Sequence, residues 1–262
     1  MRRGLRDIVY GAAVGDALGV PFEFKARGSF ACDGMRGGGT HGQPQGTWSD
    51  DTAMLLATCD SIRECGRIDV DDLRARFRAW FDDGAYTPDG VVFDYGMATA
   101  RALREGRGCA GEYDNGNGSL MRIAPLACTD VSDDEIRAVS AITHAHEVSM
   151  EACVRFVHLL REVLDDAAAV HERLAGAYAD RQRQEIESSG FVKHTYDAAL
   201  WSFATTDNYR DCVIEAVELG SDTDTTACVA GALAGAAYGY EAIPQDWVAA
   251  LRGQDVLEAC LF

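Results

Sequence analysis

The sequence is short of positive charge. Twenty-four Lys and Arg stand against forty-two Asp and Glu, a formal net charge of −18 over 262 residues. Such a field repels phosphate backbones and anionic lipid heads, so no nucleic-acid partner is expected. No Cys-x-x-Cys pair occurs among the nine cysteines, which excludes a thiolate zinc site and a secreted disulfide scaffold. A reduced, cytoplasmic protein is expected. No apolar run reaches the length of a membrane span. Met1-Arg2-Arg3 begins like a leader peptide, but Asp7 and the glycines after it break the apolar segment a leader needs. Alternating strand patterns are almost missing, and so are internal repeats and low-complexity linkers. These absences predict an all-α fold, one compact multi-helix domain over residues 1–262, working as a monomer. A hydrophobic share of 47% with 25% charged residues suffices for a core without staples.

What is present is organised around Gly220-Ser221-Asp222-Thr223-Asp224-Thr225-Thr226, which runs straight into the small-residue stretch 227–240. Gly231, Gly235 and Gly239 recur every four residues there, so one helix face lacks side chains and a neighbouring backbone can come close. Asp and Thr at a helix start are ordinary caps, favoured by free N–H groups and the helix dipole. A second acidic start, Ser49-Asp50-Asp51-Thr52, asks for more than capping. Something must hold the carboxylates of Asp50, Asp51, Asp222 and Asp224 together, and a divalent cation would do so. With the hydroxyls of Ser49 and Thr225 they form a hard oxygen set suited to Mg²⁺ or Mn²⁺, with Ca²⁺ also compatible. Four acids can neutralise two such ions, and two ions can activate water.

In chain order, helical spacing predicts helices over 5–18, from Ser49 to about Glu64, over 69–81 and over 91–104. A glycine-rich loop fills 28–47. The segment Glu112 to Arg122 reads as a glycine-rich turn entering a helix, where consecutive N–H groups could cradle an anion or merely connect two elements. Ser132 and Glu135 form a capping box. The helix it opens ends near His144 and His146, which are two apart and cannot share a helical face. Further helices are predicted over 148–164, 171–187, 190–203 and 209–219, the last capped by Asn208, with a final turn or two after Pro244. Taken alone, Asp16 reads as a structural hydrogen-bond partner and Glu23 as a surface acid. Two reactions fit a metal-bound acid cluster: hydrolysis of a glycosidic or phosphate bond, and departure of a diphosphate. The second needs basic residues, and Arg122 alone lies in a motif, so hydrolysis is favoured.

Several motifs in one order make the chain resemble the ADP-ribosylglycohydrolase family, in particular its dinitrogenase-reductase-activating branch. They are Gly15-Asp16-Ala17-Leu18-Gly19 with Glu23, Gly37-Gly38-Gly39, Ser49-Asp50-Asp51-Thr52, Asp114 with Gly116-Asn117-Gly118 and Met121-Arg122, Thr143-His144-x-His146, and the stretches 190–200 and 220–239. The resemblance implies two Mg²⁺ or Mn²⁺ ions held by Ser49, Asp50, Asp51, Asp222, Asp224 and Thr225. It implies Asp114, Glu23 and Asp51 as catalytic residues, with Asp114 acting at the ribose–guanidine bond. Gly116, Asn117, Gly118, Ser119, Met121, His144, His146 and Phe191 would bind ADP-ribose. The implied reaction is hydrolysis of ADP-ribose from a modified protein side chain or small conjugate, most of all from arginine. An O-linked hydrolase acting on serine adducts or O-acetyl-ADP-ribose, and a non-catalytic ADP-ribose-binding member, are the alternatives. Ser49 stands where the family usually has Thr, and Phe191 where the branch has Tyr.

Overall fold

Two glycine-bearing helices from opposite ends of the sequence lie backbone to backbone and position everything else. The computed structural model describes residues 3–262; Met1 and Arg2, the start of the leader-like segment, lie outside the described residues. Helix α1 (Leu5–Gly19) and helix α9 (Thr223–Tyr238) are buried on nearly every side. Their small apolar composition permits that, since a helix apolar all round belongs in a core. The Gly231 face predicted to accept a close backbone meets α1's own row of glycines. A methyl group at Gly231 would overlap the carbonyl oxygen of Gly11, and one at Gly235 would overlap that of Asp7. Towards the other end, Gly15 abuts Ala227 and Gly19 abuts Asp224 in the same way. Tyr209 donates to the Gly11 carbonyl at 2.7 Å, closing the seam from the side.

The remaining helices wrap this pair. They are α2 (Asp50–Cys65), α3 (Val70–Asp83), α4 (Met97–Glu105), α5 (Asp133–Ala141), α6 (Glu147–Tyr178), α7 (Val192–Ala204), α8 (Tyr209–Glu218), α10 (Gln245–Ala250) and α11 (Gln254–Cys260). Among the described residues 62% are helical and no strand forms, so the class is all-α as expected. Capping followed the sequence closely. Asp69 accepts from Asp72 N–H, Asn208 from Asp211 N–H, and Ser132 and Glu135 complete their box. Leu73, Phe77 and Trp80 form the buried face of α3.

Four expectations need correction. The helix predicted from Val91 begins only at Met97, because Gly90 and Asp94 take left-handed backbone and Gly96 becomes the cap. The helices predicted over 148–164 and 171–187 are one run broken at Asp166, whose carboxylate caps Ala169 N–H. That run stops at Tyr178. No α-helix follows the 112–122 turn; a 3₁₀ segment, Ala124–Cys128, does, so no helix dipole strengthens an anion site there. Gly239 is not part of the packing face but the end of α9, with φ +88°.

Candidate active site

The seam fixes where the two acidic helix starts must lie. Gly19 touches the backbone of Asp224, and Thr223 Oγ1 donates to the Gly19 carbonyl at 2.8 Å, so the N-terminus of α9 is pinned to the C-terminus of α1. One turn earlier on α1, fully buried Asp16 accepts from Ser49 N at 3.0 Å, Thr52 N at 3.0 Å and Thr52 Oγ1 at 2.6 Å. Asp16 thus caps α2 from outside and brings its start to the same place, the structural role read from the sequence. The two starts then meet: Ser49 Oγ and Thr225 Oγ1 both donate to Asp51 Oδ2, at 3.1 and 3.3 Å. Carboxylate oxygens of Glu23, Asp222 and Asp224 lie within 4.8 Å of one another. Glu23 is therefore a buried member of the cluster and not the surface acid its local sequence suggests.

Crowding these acids under low solvent access is unfavourable for their charged forms. Burial first, and then neighbouring carboxylates, push Asp50, Asp51 and Asp224 well above the usual carboxylate range. Asp222 is raised by burial, tempered by the donors Asn117 and Thr225. Glu23 is pushed up to about 10, again by burial first and then by Asp94. Asp51 Oδ1, Asp222 Oδ1 and Asp224 Oδ2 are buried with no hydrogen-bond partner. Buried polar atoms without partners are rare and need a reason. Hard divalent cations fit these residues: every donor is oxygen, and the unpartnered oxygens come from both helix starts.

Beside the cluster lies the 116–118 turn. Asn117 Nδ2 donates to Asp222 Oδ2 and to Thr195 Oγ1, both at 2.8 Å, and Asn117 N donates to the Gly190 carbonyl. Gly116 and Phe191 form a bridge, so the turn and the start of α7 are one unit. Under the turn is the His144 ring. A methyl group on Gly118 would come within 2.7 Å of His144 Cε1. Arg122 Nη2 donates to Thr143 Oγ1 at 2.9 Å, and Thr143 in turn bonds His144 Nδ1 at 2.8 Å. That relay places the ring proton on Nε2, facing the turn. Burial first, and then the Arg122 cation, lower the His144 pKa to about 3, so the ring is neutral. Arg122 is fully buried, bonds the Gly118 carbonyl and lies over the Phe77 ring. It braces the turn from below.

Three comparisons bear on this geometry. A family model described as ADP-ribosylglycohydrolase matches residues 2–261. The chain belongs to the ADP-ribosylglycohydrolase family. Among curated relatives, it is 34% identical to "ADP-ribosylarginine hydrolase Tri1" of Pseudomonas putida over 91% of this chain and 71% of that one. It is also 34% identical to "ADP-ribosyl-[dinitrogen reductase] glycohydrolase" of Rhodospirillum rubrum, over 92% of this chain and 87% of that one. A solved structure, "ADP-ribosylglycohydrolase-related protein complex", superposes with a TM-score of 0.80 at 34% identity. It covers 97% of this chain and 93% of that one.

Not every residue assigned by resemblance to this family reaches the cluster. Ser119 is wholly buried and accepts from Ser140 Oγ, and Met121 packs into the core, so both support the turn from within. His146 caps α6, its Nδ1 accepting from Val148 N at 3.2 Å. Half-buried Phe191 lines a cleft of about 650 Å³ with Tyr196, Arg155, Lys193 and His194. Asp114 is not among the gathered carboxylates. It is paired with Arg101 of α4, accepts from Gly111 N at 3.0 Å, and is held below the usual range mainly by those partners against a burial effect.

Two residues went unnoticed in the sequence. His41 bonds Glu23 Oε2, and Asp94 joins both in a second set of ligand atoms within 4.8 Å of one another. Asp94 reaches in from the non-helical stretch before α4, at φ 46°. The expected helix over Val91–Arg104 hid it. Its signal was Gly90 and Gly96 on either side, which stop a helix before it can start.

Proposed function

We propose that this protein is an ADP-ribosyl-acceptor glycohydrolase that cleaves the N-glycosidic bond between ADP-ribose and arginine. The whole chain acts as one unit, a cytoplasmic monomer. The observation that carries this is the meeting of the Asp50–Asp51 and Asp222–Asp224 helix starts with three buried, unpartnered carboxylate oxygens between them. The name of the P. putida relative supports arginine as the linkage.

Two ions, Mg²⁺ or Mn²⁺, would be held by Ser49, Asp50, Asp51, Asp222, Asp224 and Thr225. When bound, they supply charge that orients the ribose hydroxyls and acidifies a water. The chain's own residues do the rest. The Asn117 and Gly190 backbone bond, with the Gly116–Phe191 bridge, forms one wall for the nucleotide, and Phe191 offers a ring to the adenine. Neutral His144 presents Nε2–H to that wall. The anomeric C–N bond breaks with oxocarbenium character, and a carboxylate facing it stabilises the developing charge. Asp94 suits that role better than Asp114, because its carboxylate joins Glu23 and His41 at the cluster while Asp114 is occupied by Arg101. Glu23, bonded to His41, is the candidate proton carrier beside it.

A linkage panel tests the reading: arginine-, serine- and acetyl-linked ADP-ribose with Mg²⁺ and with Mn²⁺. Release from the arginine adduct alone is expected. Release confined to an O-linked adduct overturns the linkage, and tight ADP-ribose binding with no release overturns the enzyme. In the same assay Asp94→Asn should abolish turnover while Asp114→Asn keeps most of it; the reverse pattern restores Asp114.

A further inference from the structure

Single exposed apolar side chains are normal on any surface. Their concentration in one place is not. Among the described residues the large exposed hydrophobics are Phe24 (68% exposed), Val91 (53%), Tyr95 (43%), Met97 (90%), Tyr113 (90%) and Phe262 (42%). Four of the six sit on two segments that bear on the acid cluster, and Tyr113 sits on a further loop. Phe24 follows Glu23. Val91, Tyr95 and Met97 flank Asp94 within three residues on either side. Tyr113 precedes Asp114, whose bond to Arg101 ties its loop to α4. Phe24 is held in place by its backbone: at φ 63° it donates its N–H to the Ser221 carbonyl at 2.7 Å. From Phe24 the rings of His41 and Phe93 follow at 6.0 and 5.4 Å, so the apolar rim is continuous with the histidine bonded to Glu23.

We propose that this rim docks the folded protein that carries the ADP-ribosylated side chain. The inference rests on the reaction proposed above and places the protein part of its substrate on this rim. A side chain cleaved at Asp94 brings its own backbone within one side chain's length of the cluster, so whatever carries it must cover residues 91–97. Aromatic and methionine side chains are those enriched at protein interfaces, and methionine adapts to uneven partners. A chain of net charge −18 selects a partner whose surface is basic, as the neighbourhood of a modifiable arginine is.

The test compares two substrates made with an arginine-specific transferase: an ADP-ribosylated basic protein, and ADP-ribosylated agmatine. Val91→Ser, Met97→Gln and Tyr113→Ser, combined in one variant, alter exposed side chains and leave the acids intact. Expected is a fall of about tenfold in kcat/KM on the protein substrate, with agmatine hydrolysis within about twofold of wild type. Equal falls on both substrates, or no fall on either, overturn the proposal. Light scattering on the same samples identifies the other occupant. A wild-type dimer that the variant breaks, with the substrate ratio unchanged, assigns the rim to a second copy and also overturns it. A wild type that cleaves neither substrate defeats the reaction itself, an outcome distinct from a lost preference.

Discussion

The α1–α9 pair is two different objects at its two ends. In the middle, Gly11 and Gly15 lie against Gly231 and Ala227 with no side chain between, an apolar seam in which both helices bury their backbone. At the end where Gly19 meets Asp224, the same two helices bury carboxylates, three of whose oxygens from this and the neighbouring α2 start have no partner. The comparison teaches that the seam supplies the stability the acid end spends. Close packing holds the acids in a place they would leave if the backbone were free, as strained or destabilised groups at functional sites require.

The strongest way to break that arrangement is at the seam. Gly231→Ala places a methyl group on the Gly11 carbonyl oxygen, and backbone cannot rotate away as a side chain can. A loss of roughly 3 kcal/mol or more is expected, large enough to leave a 262-residue chain partly unfolded. Gly176→Ala is the matched contrast: this α6 glycine has open space at its Cβ, and the substitution should stabilise by about 0.4–1 kcal/mol. Urea titration of both variants reads the difference. Similar midpoints for the two would show that the seam is not close-packed.

The acid end should respond with opposite sign. In chelator, Asp224→Asn removes a buried carboxyl crowded by Glu23, Asp51 and Asp222, so the variant should melt above wild type. Added Mn²⁺ or Mg²⁺ should raise the wild-type melting temperature, by the equivalent of about 2.7 kcal/mol at a hundredfold excess over Kd, and raise the variant less. Turnover of Asp224→Asn should vanish. A wild type whose melting point ignores divalent ions would remove the cation from the account and leave the buried oxygens unexplained.

Between these extremes lies His144, a buried ring whose Nδ1 is bonded to Thr143 Oγ1. The folded chain refuses a proton on its ring until about pH 3, while an unfolded histidine takes one near pH 6.5. The unfolded state therefore binds more protons between those values. The stability contributed by neutral His144 is present above pH 6.5 and drains as pH falls, at no more than ~1.4 kcal/mol per pH unit. The gap in stability between wild type and His144→Gln should shrink as pH is lowered from 7 to 4. A gap that stays constant would mean the ring is exposed to solvent.

How much of this could be read in advance divides along physical lines. The acidic helix starts were legible because caps and hard ligands are local patterns. The glycine row of α9 was legible as a missing face, but not its partner, because Gly11 and Gly15 look like ordinary helix residues until α9 is laid on them. Glu23 read as a surface acid because burial is a long-range property, set here by the Gly39 loop passing over Pro21 and by His41. Asp94 was hidden by helical periodicity through 91–104, while Asp114, in a better-marked motif, pairs with Arg101 away from the gathered carboxylates. The lesson is that local chemistry names the type of ligand, while only packing says which copy of it arrives.

A small effect sharpens the same contrast from outside. Asn208 caps α8, its Oδ1 accepting from Asp211 N at 2.9 Å, and α8 carries the Tyr209 whose hydroxyl closes the seam on Gly11. Asn208→Ala should cost about 1 kcal/mol, the usual worth of an N-cap, because the freed N–H is exposed and water replaces most of the bond. Tyr209 itself is fully buried, so loosening the first turn of α8 should not release it. Turnover at saturating substrate should be unchanged and the urea midpoint slightly lowered. If turnover falls with the midpoint, the cap is coupled through Tyr209 to the register of α1 on α9. The acids at the far end then depend on that register, and not only on the contacts they make locally.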